Sequence, residues 1–278
     1  MKTTAITCSD LYDLKIYAEN GADEVIVAPV DCSFSALSEI QEDKLIDAIS
    51  TAHQEGMQIS FLINRLFGQS EISEVSERIN TYVQAGVDGI IFADPGLLVE
   101  AQNKGYLDRM IYQPDTLVTS SFDASFWMEQ GLKSVTVSSL ITEDEISDMS
   151  RKVNGLSLIV HGRLLMSVSK RRLLQAFKEE TGLSFQPDYN RSLYLMEEKR
   201  DGRMPVYENA YACMIYSDFV QESFDEMPSF MNIDRFVIDG TWLSRQESIA
   251  ALRIYQGLLD GKDMQEEILQ YRNTYGKE

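Results

Sequence analysis

The sequence predicts an α/β protein: a TIM-type (β/α)8 barrel carrying a small β-containing insertion between its seventh and eighth strands. Three observations lead there. First, a glycine closes a helical stretch and an apolar run follows it at Gly21, Gly56, Gly86, Gly105, Gly131 and Gly155. Glycine is favoured just past a helix because the chain needs positive φ there, so each one marks a helix feeding a strand. Second, the runs that follow are short and apolar on both faces, as parallel strands covered by helices are. Third, 278 residues fit a single domain of this kind. A doubly wound sheet is the alternative, but no Gly-x-Gly-x-x-Gly follows the first strand.

The elements follow in order. A strand at Thr3–Thr7 opens the chain, and the run from Gly21 to Val27 is the second. A helix over 41–55 places Leu45, Ile46, Ala48, Ile49 and Ala52 on one side and leads to the strand ending at Ile63. The next, over 70–85, does so with Ile72, Val75, Ile79, Tyr82 and Val83, leading to the strand ending at Phe92. Strands at 110–113, 134–138 and 156–160 continue the alternation. The insertion is expected over about 175–234, since Pro187, Gly202, Pro205 and Pro228 interrupt it and β-like runs stand at 192–196 and 211–216, with a turn at 200–203. The strand 235–239 and the helix 244–259 complete the eighth unit, and the charged tail 263–278 begins as a helix. No linker divides the chain, so residues 1–278 are read as one domain.

Composition narrows the function. The 25 Lys+Arg against 44 Asp+Glu give a formal charge of −19, which opposes independent binding to a polyanion. No apolar run is long enough to cross a bilayer and no signal-peptide pattern opens the chain, so a cytoplasmic protein is expected. Cys8, Cys32 and Cys213 are scattered, and His53 and His161 are the two histidines. Neither a disulfide framework nor a local metal site is encoded.

In a βα barrel the functional face gathers at the C-terminal ends of the strands. The residues there are Pro29 and Asp31, Asn64 and Arg65, Asp94, Ser120 and Ser121, Ser138 and Ser139, His161 and Arg163, Asp239 and Thr241. Asp94 and Asp239 are candidate catalytic carboxylates: if they stand close, one takes a raised pKa and a proton-shuttling or metal-binding pair becomes available. Equally, Asp94 before Pro95 reads as a helix cap, and Asp239 before Gly240 as a turn residue. Asn64 either fixes a ligand or ties two loops together. His161 is a candidate general base or a satisfied core histidine. Ser120 and Ser121 are candidate ligand contacts; no Gly-x-Ser-x-Gly elbow surrounds any of the serines. Arg163, Lys170, Arg171 and Arg172 fall within ten positions, a cluster suited to a small dicarboxylate or another anion. They also read as loop cations paired with neighbouring acids.

Taken together, Gly21-Ala-Asp-Glu-Val-Ile-Val, Ile63-Asn64, Gly86-Val-Asp-Gly-Ile-Ile-Phe-Ala-Asp-Pro-Gly96, Val160-His161-Gly162 and Phe236-Val-Ile-Asp-Gly240 resemble the collagenase-like peptidase family U32 over nearly the whole chain. The resemblance implies a barrel and, by the family's name, a hydrolase. Family members that hold an iron–sulfur cluster place cysteines where this chain has Leu165 and Arg172, so no cofactor is expected. Ser138-Ser139 and Thr241 also depart from the family's pattern. The segment Ser169–Leu174, with Pro205-Val-Tyr-Glu208 and Ser217-Asp218, is similar to a short branch of the family. That branch implies a subunit supporting prephenate-dependent hydroxylation of the tRNA wobble uridine beside a longer, cysteine-containing paralogue, with tRNA touched only indirectly. A peptidase of unassigned mechanism and a non-catalytic scaffold are the competing expectations.

Overall fold

The computed structural model describes residues 2–199 and 202–276, so Arg200 and Asp201 of the expected turn lie outside the described residues. Seven parallel strands come first: β1 (Thr3–Thr7), β2 (Glu24–Val27), β3 (Gln58–Ile63), β4 (Gly89–Phe92), β5 (Met110–Tyr112), β6 (Ser134–Val137) and β7 (Leu156–Gly162). The helices between them are α1 (Leu14–Glu19), α2 (Glu42–Gln54), α3 (Ile72–Gln84), α4 (Gly96–Lys104), α5 (Ser121–Glu129) and α6 (Glu143–Ser150). A lobe follows, with β8 (Leu165–Ser169), α7 (Leu173–Thr181), β9 (Tyr194–Met196), β10 (Arg203–Glu208) and β11 (Cys213–Tyr216). The short β12 (Gln221–Glu222) lies antiparallel on the end of β7, and β13 (Arg235–Ile238) then pairs in parallel with both β7 and β1. With β6 also on β7, the barrel is closed. Helices α8 (Arg245–Leu259) and α9 (Gln265–Tyr275) finish the chain.

Strand periodicity sorts the core into two layers. Ala5, Ile26, Leu62, Ile91, Ile111, Ile159 and Val237 pack inside the barrel, while their neighbours Ile6, Val25, Val27, Ile90, Phe92, Leu158, Phe236 and Ile238 pack outward under the helices. At the N-terminal ends of the strands the inward positions are polar. There Arg235 Nε and Nη2 donate to the two carboxylate oxygens of Glu24 at 2.9 and 2.7 Å, and its Nη1 donates to Ser157 Oγ at 3.1 Å. Both charges are buried. Burial alone would raise the Glu24 carboxyl, but Arg235 and its hydrogen bonds outweigh it and hold the group below the usual carboxylate range.

The lobe starts ten residues earlier than the sequence suggests. Leu165–Ser169 reads as the loop after a barrel strand, yet it pairs antiparallel with Cys213–Tyr216 and forms the edge of the sheet β8-β11-β10-β9. Its partner lies nearly fifty positions away in sequence, so no local pattern announces it. The lobe is fastened over the barrel mouth. The Arg65 guanidinium lies between the rings of Phe67 and Tyr211, 4.5 and 4.4 Å from their centroids, the Tyr211 hydroxyl donates to Asp31, and Asn209 Nδ2 donates to the Phe34 carbonyl at 2.9 Å.

Candidate active site at the barrel mouth

The inward residues Ile26, Leu62, Ile91, Ile159 and Val237 make an apolar floor under the lobe. Around it stand Thr7, Gln113, Asp115, Ser139, Arg163, Tyr216, Asp239 and Thr241. The enclosed space is about 50 Å³. Since a water needs roughly 10–15 Å³ measured this way, it has room for a few waters.

Two carboxylates share this bowl. Asp239 caps the short turn after β13, where its Oδ1 accepts from the Thr241 backbone N–H at 3.0 Å and from the Thr241 hydroxyl. Burial raises its pKa, against the pull of these hydrogen bonds. Asp115 follows β5 in a left-handed conformation, φ 62° being its neighbour in kind at Asp31 and 61° its own. Its carboxyl is pushed up to about 7 by burial first and by the negative charge of Asp239 second, opposed by a hydrogen bond from Gln113. Near neutral pH, therefore, the pair holds a proton that solvent-exposed aspartates would have lost, and it can both accept and donate.

The sequence pairs Asp239 with Asp94; the structure pairs it with Asp115. Asp94 is committed to the backbone, its Oδ2 accepting from Phe67 N–H and its Oδ1 from Gly96 N–H, both at 2.9 Å. It does not line the bowl. Asn64 serves the loop after β2: its Oδ1 accepts from Ser33 Oγ at 2.7 Å and its Nδ2 donates to Ser35 Oγ at 2.9 Å, which steadies Ser35 at the bowl's rim. Ser120 caps α5 through the Asp123 N–H and Ser121 is the first residue of that helix; neither reaches the bowl.

His161 is turned away from the mouth by a backbone irregularity. Ile159 pairs with Val237 and points inward, so alternation would bring His161 inward too. A bulge at Val160 sets His161 opposite Ile238, an outward position. The imidazole is fully buried beneath α8 and α9, with Nε2 2.7 Å from the Tyr271 hydroxyl and Nδ1 3.3 Å from that of Tyr255, beside the Phe224 ring. Burial holds it down at about 3, so it is neutral. The next residue, Gly162, has φ +127°, and a Cβ there would stand 2.4 Å from the Asp239 carbonyl oxygen. Glycine alone suits that close approach.

The four cations do not form one pocket. Arg163 lines the bowl and its Nη1 donates to the Ser217 carbonyl at 2.9 Å. Lys170 donates to the Leu66 carbonyl at 3.1 Å on the outer rim, and Arg171 is exposed. Arg172 is held by Asp188 and by the buried Glu208, whose Oε1 is 3.1 Å from its Nε. The strand β8 lies between Arg163 and the other three and runs out along the lobe sheet, which disperses a cluster that is compact in sequence. Two carboxylates beside one arginine make the bowl a poor host for a dianion. Leu165, at one family cysteine position, lines the bowl; Cys8, Cys32 and Cys213 are buried apart from it. No group of three or more metal-ligating side chains occurs among the described residues.

Beside the bowl and sharing Asp115, Thr116 and Leu165 with it runs an apolar slot of about 310 Å³, walled by Phe34, Leu66, Pro114, Leu117, Met166 and Val168. Sequence reasoning missed both Asp115 and this slot. The signal for Asp115 was present, because Gln113-Pro114-Asp115 is the first polar stretch after β5, whereas Ser120 and Ser121 lie beyond the loop. Tyr216 and the slot carried none, since they arise from the lobe folding over the barrel.

The model of peptidase family U32 matches residues 9–276. Among curated relatives, the tRNA hydroxylation protein P2 of Bacillus subtilis is 22% identical over 261 residues, covering 92% of this chain and 84% of the relative. An uncharacterized protease of Methanocaldococcus jannaschii is 24% identical, covering 91% of this chain and 63% of the relative. The tRNA hydroxylation protein P of Escherichia coli is 24% identical over 150 residues, covering 50% of this chain and 31% of its own length. A solved U32 peptidase superposes with a TM-score of 0.54 at 17% identity over 86% of this chain and 92% of that one. Phosphoribosylanthranilate isomerase from Thermotoga maritima gives 0.52 at 10% identity, over 94% and 100%. At such identities the superpositions speak for the barrel alone.

Proposed function

The chain belongs to peptidase family U32, and from that premise we propose that it takes part in tRNA hydroxylation, as a barrel subunit without an iron–sulfur cluster that works beside a longer, cysteine-containing paralogue in the cytoplasm. The observation that carries this reading is the end-to-end match to tRNA hydroxylation protein P2, 92% of one chain against 84% of the other. The formal charge of −19 supports a division of labour in which the partner holds most of the tRNA. Wobble uridine is the proposed target and prephenate the metabolite on which the reaction depends.

The test is made in the native host. Deleting the gene is expected to lower 5-hydroxyuridine-type nucleosides in tRNA digests measured by mass spectrometry, and blocking prephenate synthesis is expected to have the same effect. Tagged protein is expected to bring down the paralogue. An unchanged nucleoside profile overturns the proposal.

One observation favours a second reading. Two carboxylates with a retained proton are the working parts of an acid-catalysed hydrolase, and Asp115 and Asp239 meet in one bowl. Purified protein that leaves gelatin and a peptide library intact on both the acid and the alkaline side of the Asp115 titration at about 7 removes it.

A further inference from the structure

We propose that the bowl and the apolar slot form one binding site for a single unstacked nucleoside of RNA, its flat uncharged ring in the slot and its hydrogen-bond donors on Asp115. The inference rests on the tRNA reading above and names what enters the site.

The slot and the bowl are continuous through Asp115, Thr116 and Leu165. A space of about 310 Å³ falls at the small end of ligand pockets, which run from roughly 300 Å³ upward and combine apolar walls with a few convergent polar groups. Here the walls are Phe34, Leu66, Pro114, Leu117, Met166 and Val168, and the polar group at the inner end is Asp115. Leu66, Leu117, Met166 and Val168 stay between 41% and 63% exposed, an apolar surface that a ring would cover. The aperture thus suits something flat and apolar-faced that offers an N–H or O–H at its edge.

Charge selects further. Asp115 faces Asp239 from the loop after β13, Arg163 from the β7–β8 connection, Tyr216 from β11, and Gln113 from its own loop. Only Arg163 in that set is cationic, and it already donates to Ser217. An incoming carboxylate or phosphate would add further negative charge to the Asp115–Asp239 pair, whereas an uncharged donor hydrogen-bonds to it without adding any. Outside the slot the sign reverses. Lys170 sits at its rim on the Leu66 carbonyl and Arg171 is next to it, and nine of the chain's 25 Lys and Arg lie between 163 and 203. A nucleoside inside with its phosphates outside meets both halves of this pattern; pockets that read an extruded base use the same division of apolar walls and edge hydrogen bonds.

Binding is measured on the full chain by saturation-transfer NMR with uridine, and by fluorescence anisotropy with a labelled anticodon stem-loop carrying an unpaired uridine. Asp115 is the stronger acceptor when ionised, so with a carboxyl titrating at about 7 the affinity for uridine is expected to rise from pH 6 to pH 8, by up to about tenfold. Asp115→Asn, which tolerates the left-handed backbone, is expected to flatten that dependence. Leu117→Lys, at an exposed position on the slot wall, is expected to weaken uridine and stem-loop together while circular dichroism and melting temperature hold. Malonate and ethylammonium serve as competing probes. Malonate that displaces uridine and tightens as pH falls makes the bowl an anion site and overturns the proposal; so does ethylammonium binding that excludes uridine, or no binding of uridine by either method. Loss of tRNA hydroxylation on gene deletion without uridine binding sinks this inference and leaves the pathway reading intact; uridine binding with an unchanged tRNA profile does the reverse.

Discussion

The two ends of the barrel carry charge in opposite ways. At the N-terminal end Glu24 and Arg235 are opposite charges, buried together, bidentate and further tied to Ser157. At the mouth Asp115 and Asp239 are like charges in one enclosure, and Asp115 is pushed up to about 7. The first arrangement pairs both charges and links β2, β7 and β13 through side chains. The second leaves a proton to be gained or lost near neutral pH. One barrel therefore keeps its compensated charges on the face away from the lobe and its like-charged pair under it, the separation expected when the C-terminal face carries function.

Breaking the lower pair gives the largest effect. Arg235→Met strands a buried carboxylate and is expected to cost about 3–5 kcal/mol in urea unfolding. Adding Glu24→Leu to it is expected to recover most of the loss; a double variant as unstable as the single would mean that the pair contributes through something other than mutual compensation. His161→Phe comes next. It removes the ring nitrogens that meet the Tyr255 and Tyr271 hydroxyls and is expected to destabilise by about 1–3 kcal/mol, with uridine binding unchanged. A binding defect at full stability would return His161 to the site. Because folding holds this imidazole down at about 3, below its unfolded value, its share of stability is present above the unfolded pKa of about 6.5 and is lost as pH falls toward 3. The His161→Phe variant should therefore lose that acid-side slope.

At the mouth the sign is the opposite. The folded Asp115 carboxyl titrates above its unfolded value, so its favourable contribution is complete below about pH 4 and is lost as pH rises through 7. Asp115→Asn is accordingly expected to stabilise the protein at pH 8 by about 1–2 kcal/mol, progressively less toward pH 5, and to do little below about pH 4, in paired urea titrations. A variant less stable than the parent at pH 8 would contradict the like-charge account. The smallest effect belongs to Arg171→Ala, an exposed side chain on the lobe, expected to change stability by less than about 0.5 kcal/mol.

Much of the molecule is legible in the chain. The recurring glycines and the apolar runs after them determine the alternation of helix and strand, because positive φ and two-sided burial are local demands that particular residues meet. That the barrel mouth is where to look for a site follows from the fold, and Arg163, Ser139, Asp239 and Thr241 line the cavity there. Three decisions belong to the tertiary structure. The bulge at Val160 turns His161 outward through pairing with β13, more than seventy residues later. The pairing of β8 with β11 scatters the cations and starts the lobe early. The partner of Asp239 is Asp115 and not Asp94, because Asp94 is taken by the amides of Phe67 and Gly96. Sequence spacing sets which residues share a strand or a helix face; which of them share a cavity depends on register and on long-range pairing, and these are settled only when the sheet closes.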